Sequence, residues 1–214
     1  MIIDMYIVLV LLLVLILYFF LRYRDTRYIT RSVLSPEECN EIIKVAETFE
    51  FDTKTDSVDD KPEYQIDILD MTVKNEKLWK MCKKIYETKM PKMDKTIDYV
   101  ILKKYTPGER THIPLHYDDS DMTMSFLLSN VKDFKGGELY VFSPEESKKI
   151  DKLEEGVPES DLVGVRKRIV DSYDTLPIQK YKQGDLIVYP GKYLMHGTLP
   201  VTSGKRYVLT YFFN

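Results

Sequence analysis

Cysteine is scarce in this sequence: Cys39 and Cys82 are the only two in 214 residues, and they stand far apart. That spacing excludes a disulfide framework and a zinc finger, leaving either one Cys39–Cys82 bridge or two reduced thiols. Histidine is nearly as rare, so any imidazole chemistry must run through His112, His116 or His196. Positive charge is not in surplus, with a formal net charge of −3. A phosphate binder usually needs a positive field, so no nucleic acid partner is expected. No N-x-[ST] sequon occurs, which is compatible with a chain on the cytosolic side of a membrane.

What is present is a globular composition, 44% hydrophobic and 30% charged. One long apolar run stands out. Met5 to Leu21 reads MYIVLVLLLVLILYFFL without a charge. As a helix it would span about 25 Å, at the short end of a bilayer core. The start is acidic (Asp4), and Arg22, Arg24 and Arg27 follow, with no small-residue cleavage site. The expectation is an uncleaved single-pass transmembrane helix rather than a signal peptide, with the membrane as a partner. The flanking arginines favour a cytosolic location for the rest of the chain.

The expected domains are an anchor over residues 1–22, a linker with supporting helices over 23–97, and a β-rich core over 98–214. Ser35-Pro36-Glu37-Glu38 is a helix start: a capping serine, proline at the first helical position, and a glutamate completing a capping box. A second amphipathic helix is predicted from Glu76 to about Lys89, with Leu78, Met81, Cys82, Ile85 and Tyr86 inward. Residues 52–63 read as a polar loop. Strand patterns follow at 98–105, 122–128, 138–142, 185–189 and 206–213, punctuated by Pro-Gly and Gly-Gly turns. Helices followed by short strands suggest an α+β, mainly β, jelly roll with supporting helices. The charged stretch 143–181 breaks this rhythm; it reads as a surface insertion or as a loop over the mouth of a site.

His116-Tyr117-Asp118 is an H-x-D. Residues two apart on a strand share a face, so the imidazole and the carboxylate can reach one ion. His196, which follows the strand and turn at 185–191, could supply a third ligand. Two histidines and a carboxylate on one face leave positions open, as a non-haem ferrous ion requires. Ten residues beyond His196 comes Arg206, whose guanidinium can pair bidentately with a carboxylate. Lys205 is its rival. Alternation gives Arg206 a face with Val208 and Thr210, and Lys205 a face with Tyr207 and Leu209; the pattern alone leaves both open.

Residues 99–213 resemble the catalytic domain of the prolyl 4-hydroxylases and lysyl hydroxylases, in the iron(II)- and 2-oxoglutarate-dependent dioxygenase superfamily. The resemblance rests on KKYTPGERTHIPLHYDDS, FLLSNVKDFKGGELYVF and YKQGDLIVYPGKYLMHGTLPVTSGKRYVLTYFF, and more loosely on LSPEECNEIIKVAE. It implies a double-stranded β-helix, a jelly-roll form. It implies Fe(2+) held by His116, Asp118 and His196, with O2 and 2-oxoglutarate as co-substrates. It favours Arg206 over Lys205 for the distal carboxylate of 2-oxoglutarate, adds Tyr105 as a hydrogen-bond donor to it, and leaves His112 outside the triad. L-ascorbate as an iron reductant is implied in the same way. So is a protein or peptide substrate, hydroxylated at proline first and lysine second, with release of succinate and CO2. Related hydroxylases often face the lumen of the endoplasmic reticulum, against the charge bias noted above.

Competing readings use the same residues differently. A non-catalytic jelly-roll binding module would have no need of an intact triad, and a zinc hydrolase would have no need of Arg206. A dioxygenase acting on a non-peptide substrate also fits. Nucleic-acid dealkylation is disfavoured, because the chain carries no paired arginines beyond His196 and its balance is acidic.

Overall fold

The structure, a computed structural model, describes residue 12, residues 27–68 and residues 76–214. In chain order its elements are β1 (Tyr28–Thr30), α1 (Pro36–Ala46), β2 (Gln65–Asp67), α2 (Glu76–Lys89), β3 (Ile97–Tyr105), β4 (Met122–Leu127), β5 (Phe134–Gly136), β6 (Leu139–Val141), α3 (Pro144–Glu154), α4 (Glu159–Asp171), β7 (Leu186–Tyr189), β8 (His196–Thr198), β9 (Val201–Gly204) and β10 (Arg206–Phe213). The major sheet runs β1-β7-β4-β10-β3-β2, with every pairing antiparallel. Facing it is a smaller sheet of β6 and β8, extended by a bridge from His116 to His196, while β5 and β9 form a separate ribbon.

Period-two alternation sorts the side chains into layers. On β10, Tyr207, Leu209, Tyr211 and Phe213 turn to one face and pack with Ile42 and Val45 of α1 and Leu78, Cys82 and Ile85 of α2. The Tyr211 hydroxyl fixes this layer by donating to the Cys82 carbonyl at 2.9 Å. Val208 turns to the other face, where Leu127, Ile187 and Tyr189 of the major sheet meet Leu139 and Val141 of the smaller one. The smaller sheet alternates too. Tyr140 and Phe142 leave this inter-sheet cluster and join Leu115 and Met195 under Ile150 of α3 and Ile169 of α4. The layers are therefore helices, major sheet, inter-sheet space, smaller sheet, and a second pair of helices.

Local signals account for the helix ends. The Ser35 hydroxyl accepts from the Glu38 amide at 3.2 Å, and the Glu38 carboxylate accepts from the Ser35 amide at 2.8 Å. Ser143 and Glu146 repeat this reciprocal cap at the start of α3. Within the stretch 143–181, α3 and α4 thus form an α-hairpin lying on the outer face of the smaller sheet, and the chain then returns to the inter-sheet space at Tyr181. Cys39 and Cys82 are free and buried, and burial pushes both thiols up to about 12.

One expectation needs correcting. The anchor proposed over residues 1–22 falls outside the described residues except for Leu12, and no helix among the described residues is long and apolar enough to cross a membrane. The helices α1 to α4 have 11 to 14 residues, reaching about 16–21 Å against the roughly 30 Å of a bilayer core, and all are amphipathic. An uncharged run meets one requirement of a span but does not by itself make one. The fold has no transmembrane helix among the described residues, and this overturns the expected membrane partner and single-pass membrane localisation.

Candidate active site

The inter-sheet space opens into a cavity. His116, Asp118 and His196 line it, and one potential ligand atom from each lies within 4.8 Å of the others. The backbone explains the convergence. His116 and His196 are paired across the smaller sheet, each amide donating to the other's carbonyl at 2.9 and 3.0 Å. Their rings therefore emerge side by side, centroids 4.3 Å apart. Asp118 is anchored by its amide donating to the Gly191 carbonyl at 3.1 Å, and its Oδ2 accepts from the Thr123 hydroxyl. A side chain at Gly191 would collide with this carboxylate, its Cβ falling 2.8 Å from Asp118 Cβ.

Both rings have their tautomer set from behind. His116 Nδ1 lies 2.8 Å from the Pro114 carbonyl, and His196 Nδ1 lies 2.8 Å from the Leu194 carbonyl. A carbonyl only accepts, so each Nδ1 carries the proton. Each Nε2 then points at Asp118 Oδ1, at 3.4 and 3.3 Å. In the neutral rings this arrangement sets two lone pairs against a carboxylate, and only a cation or a ring proton relieves it. Burial opposes ionisation of Asp118, but His196 and His116 outweigh it and hold the carboxyl well below the usual range. Burial and the neighbouring His196 lower His116; at His196 burial is outweighed by Asp118, and the ring is raised. The donor set, two imidazoles and one carboxylate with ordered Nδ1 partners, fits a divalent transition ion.

Arg206 lies in the same cavity and is only 3% exposed. Its Nη2 donates to the Tyr181 hydroxyl at 2.8 Å, and its guanidinium carbon stands 5.3 Å from the centroid of the Tyr105 ring. Among the described residues no carboxylate pairs with it, whereas the other buried cations, Lys103 and Arg110, share Asp56. A buried, un-neutralised guanidinium is expensive unless an anion joins it. Gly137 makes room for its stem: at φ +74 it holds a conformation suited to glycine, and a Cβ there would come 2.8 Å from Arg206 Cδ. Lys205 points away, 54% exposed and paired with Glu47. Tyr189 lines the same cavity, its ring 4.8 Å from that of His196, and burial and the Asp118 carboxylate push its phenol well above the ordinary value.

The structure thus gathers His116, Asp118, His196, Arg206 and Tyr105 in one cavity and leaves His112 outside the cluster, beside the Thr111 hydroxyl at 2.9 Å. Sequence reasoning missed Tyr181, Thr123 and Gly191. Thr123 carried a signal, since Thr123 and Ser125 put hydroxyls at alternate positions of an otherwise apolar strand.

Neither a family model nor a curated protein sequence matches the chain. Solved structures do match in fold. A prolyl hydroxylase from Trichoplax adhaerens, in complex with a hypoxia-inducible factor oxygen degradation domain peptide, is 12% identical, with 88% of this chain and 83% of that one covered and a TM-score of 0.58. HygX from Streptomyces hygroscopicus, with nickel and 2-oxoglutarate bound, is 13% identical, with 92% and 85% covered and a TM-score of 0.57. SnoK, a non-haem α-ketoglutarate-dependent carbocyclase from nogalamycin biosynthesis, is 13% identical, with 91% and 81% covered and a TM-score of 0.59. The fold is that of the iron(II)- and 2-oxoglutarate-dependent oxygenases. This double-stranded β-helix carries a His-Asp-His cluster between its sheets.

Proposed function

We propose that the chain is an iron(II)- and 2-oxoglutarate-dependent dioxygenase that hydroxylates a peptidyl residue, proline first and lysine second. One observation carries this: three electron-pair donors within 4.8 Å share a cavity with a buried arginine that no carboxylate among the described residues neutralises. A metal site and a carboxylate site in one pocket suit a co-substrate that is both a chelator and an anion.

His116 and His196 hold the ion through Nε2, and their Nδ1 protons stay on the Pro114 and Leu194 carbonyls. Asp118 supplies the charged ligand through Oδ1, while the Thr123 hydroxyl occupies Oδ2. Arg206 binds the distal carboxylate of 2-oxoglutarate, Tyr181 orients its guanidinium, and Tyr105 walls that end of the cavity and donates to the same carboxylate. Leu139 and Val208 line the same space and exclude water. When bound, iron with 2-oxoglutarate and O2 supplies the oxidation, in which the keto acid is decarboxylated to succinate and CO2 while an oxygen atom enters a substrate C–H bond. The likeness to a prolyl hydroxylase solved with a peptide supports a peptide substrate. Ascorbate would act only as an external reductant of the iron.

The test is succinate formation from 2-oxoglutarate with Fe(II), followed by mass spectrometry of a peptide library containing proline and lysine. Iron-dependent succinate release, and one added oxygen on a proline, are expected. Oxygen on lysine alone would reverse the order of substrates. Hydrolysis with zinc and no succinate with iron would overturn the proposal.

A further inference from the structure

The α3–α4 hairpin contributes no residue to the lining of the cavity, yet α3 reaches both segments that carry the candidate metal ligands. Met195, the residue before His196, is fully buried. Its amide donates to the Ser147 hydroxyl on α3 at 2.9 Å, and its carbonyl accepts from the Phe142 amide at 2.9 Å. Tyr117 lies between His116 and Asp118. Strand alternation turns it away from both, and its hydroxyl donates to Asp151 on α3 at 2.9 Å. Ser147 and Asp151 are one helical turn apart and share a face with Ile150, which is fully buried against Leu115 and Met195. Leu115 and Tyr117 flank His116 on either side. A single stripe on α3 therefore grips the backs of the His116–Asp118 and His196 segments. The helix itself is held by the Ser143–Glu146 cap and by Arg166 of α4, which donates to both Glu154 oxygens at 2.7 and 2.9 Å.

From this juxtaposition we infer that α3 is a splint behind the metal centre, with Ser147 and Asp151 as positioning residues that hold the His196 and His116–Asp118 segments from behind and so orient the three ligands. The inference rests on the metal centre proposed above. Ser147 acts on His196 through the Met195 backbone, and Asp151 acts on the His116–Asp118 pair through Tyr117. No metal contact is made by either.

The experiment titrates Co(II) into the metal-free full chain and follows its ligand-field absorption, which reports ligand geometry independently of turnover. Ser147→Ala and Tyr117→Phe are each expected to weaken Co(II) binding about tenfold, the lower end of what supporting contacts to metal ligands contribute, and to shift the band. Asp151→Ala should behave like Tyr117→Phe, whereas Asp151→Asn, which keeps an acceptor oxygen, should restore the wild-type spectrum. Ser35→Ala is the control, since it removes the cap of α1 on the far side of the major sheet and should lower thermal stability while leaving the spectrum unchanged. Wild-type binding and spectrum in both Ser147→Ala and Tyr117→Phe would overturn the splint while leaving the metal centre intact. A wild-type chain that binds no Co(II) would instead remove the metal centre, and the splint with it. Tyr117→Phe deletes one hydroxyl at a partly exposed position, so it keeps the test decisive if Ser147→Ala does not fold.

Discussion

Arg206 and Tyr105 are partners across the β10–β3 ladder, and the guanidinium carbon of the one stands 5.3 Å from the ring centroid of the other. The strand register thus gives the buried cation an aromatic floor before any anion arrives. Arg206→Ala should raise KM for 2-oxoglutarate by roughly thirtyfold or more, the effect of removing about 2 kcal/mol or more of a buried charge pair. Arg206→Lys keeps the charge but not the forked geometry that meets Tyr181, and should fall between the two. Uncoupled succinate release against 2-oxoglutarate concentration is the measurement; an unchanged KM in Arg206→Ala would assign the co-substrate to another cation.

Gly191→Ala should weaken metal binding while leaving the fold in place. The new methyl group would fall within contact distance of Asp118 Oδ2 and Thr123 Oγ1, so the carboxylate would have to leave its position. A loss of Co(II) affinity greater than tenfold, with an unchanged circular dichroism spectrum, is expected.

The shape of the body was largely legible in the sequence, because period-two patterns at residues 98–105 and 206–213 must put one set of side chains in each layer. The site was less so. The choice between Arg206 and Lys205 is decided by which face of β10 meets the second sheet, a tertiary fact that alternation alone does not contain. Tyr181 reaches Arg206 from a segment with no motif of its own. The helices within 143–181 were hidden for a different reason. Ser143-Pro-Glu-Glu146 repeats the tetrapeptide Ser35-Pro-Glu-Glu38, so its helix start was written in the same letters, but the density of charge around it hid the narrow apolar stripe of Ile150 and Ile169.

That second cap has a measurable worth. Ser143→Ala removes the acceptor for the Glu146 amide at 3.2 Å and should cost about 1 kcal/mol, lowering Tm by about 2–4 °C for a chain of this size. Thermal unfolding followed at a helix-sensitive wavelength checks it.

Asp56 gives a pH prediction. Its carboxylate accepts from Lys103 at 3.0 Å and from Arg110 at 3.3 Å, with all three side chains buried. Burial alone would raise its pKa, but Lys103, the Val58 amide and Arg110 prevail and hold it below the ordinary 3.8. Since the folded value lies below the unfolded one, the stabilisation is complete above the ordinary carboxylate value and is lost as pH falls through the folded value. Asp56→Asn should destabilise the chain by about 3–5 kcal/mol at neutral pH, the cost of breaking a buried pair, and flatten its acid unfolding. Urea unfolding at a series of pH values measures both; parallel curves for the two proteins would place the acid sensitivity elsewhere.

The mutual amide–carbonyl bonds between His116 and His196 have a consequence for how the centre is assembled. Two of its three donors are spaced by the repeat distance of a β-ladder, so their separation is settled when the chain folds rather than when an ion arrives. Metal removal should then empty a ready-made socket instead of collapsing it, and ions of different size must adapt to the protein's dimensions, since the backbone offers no slack with which to adapt to theirs.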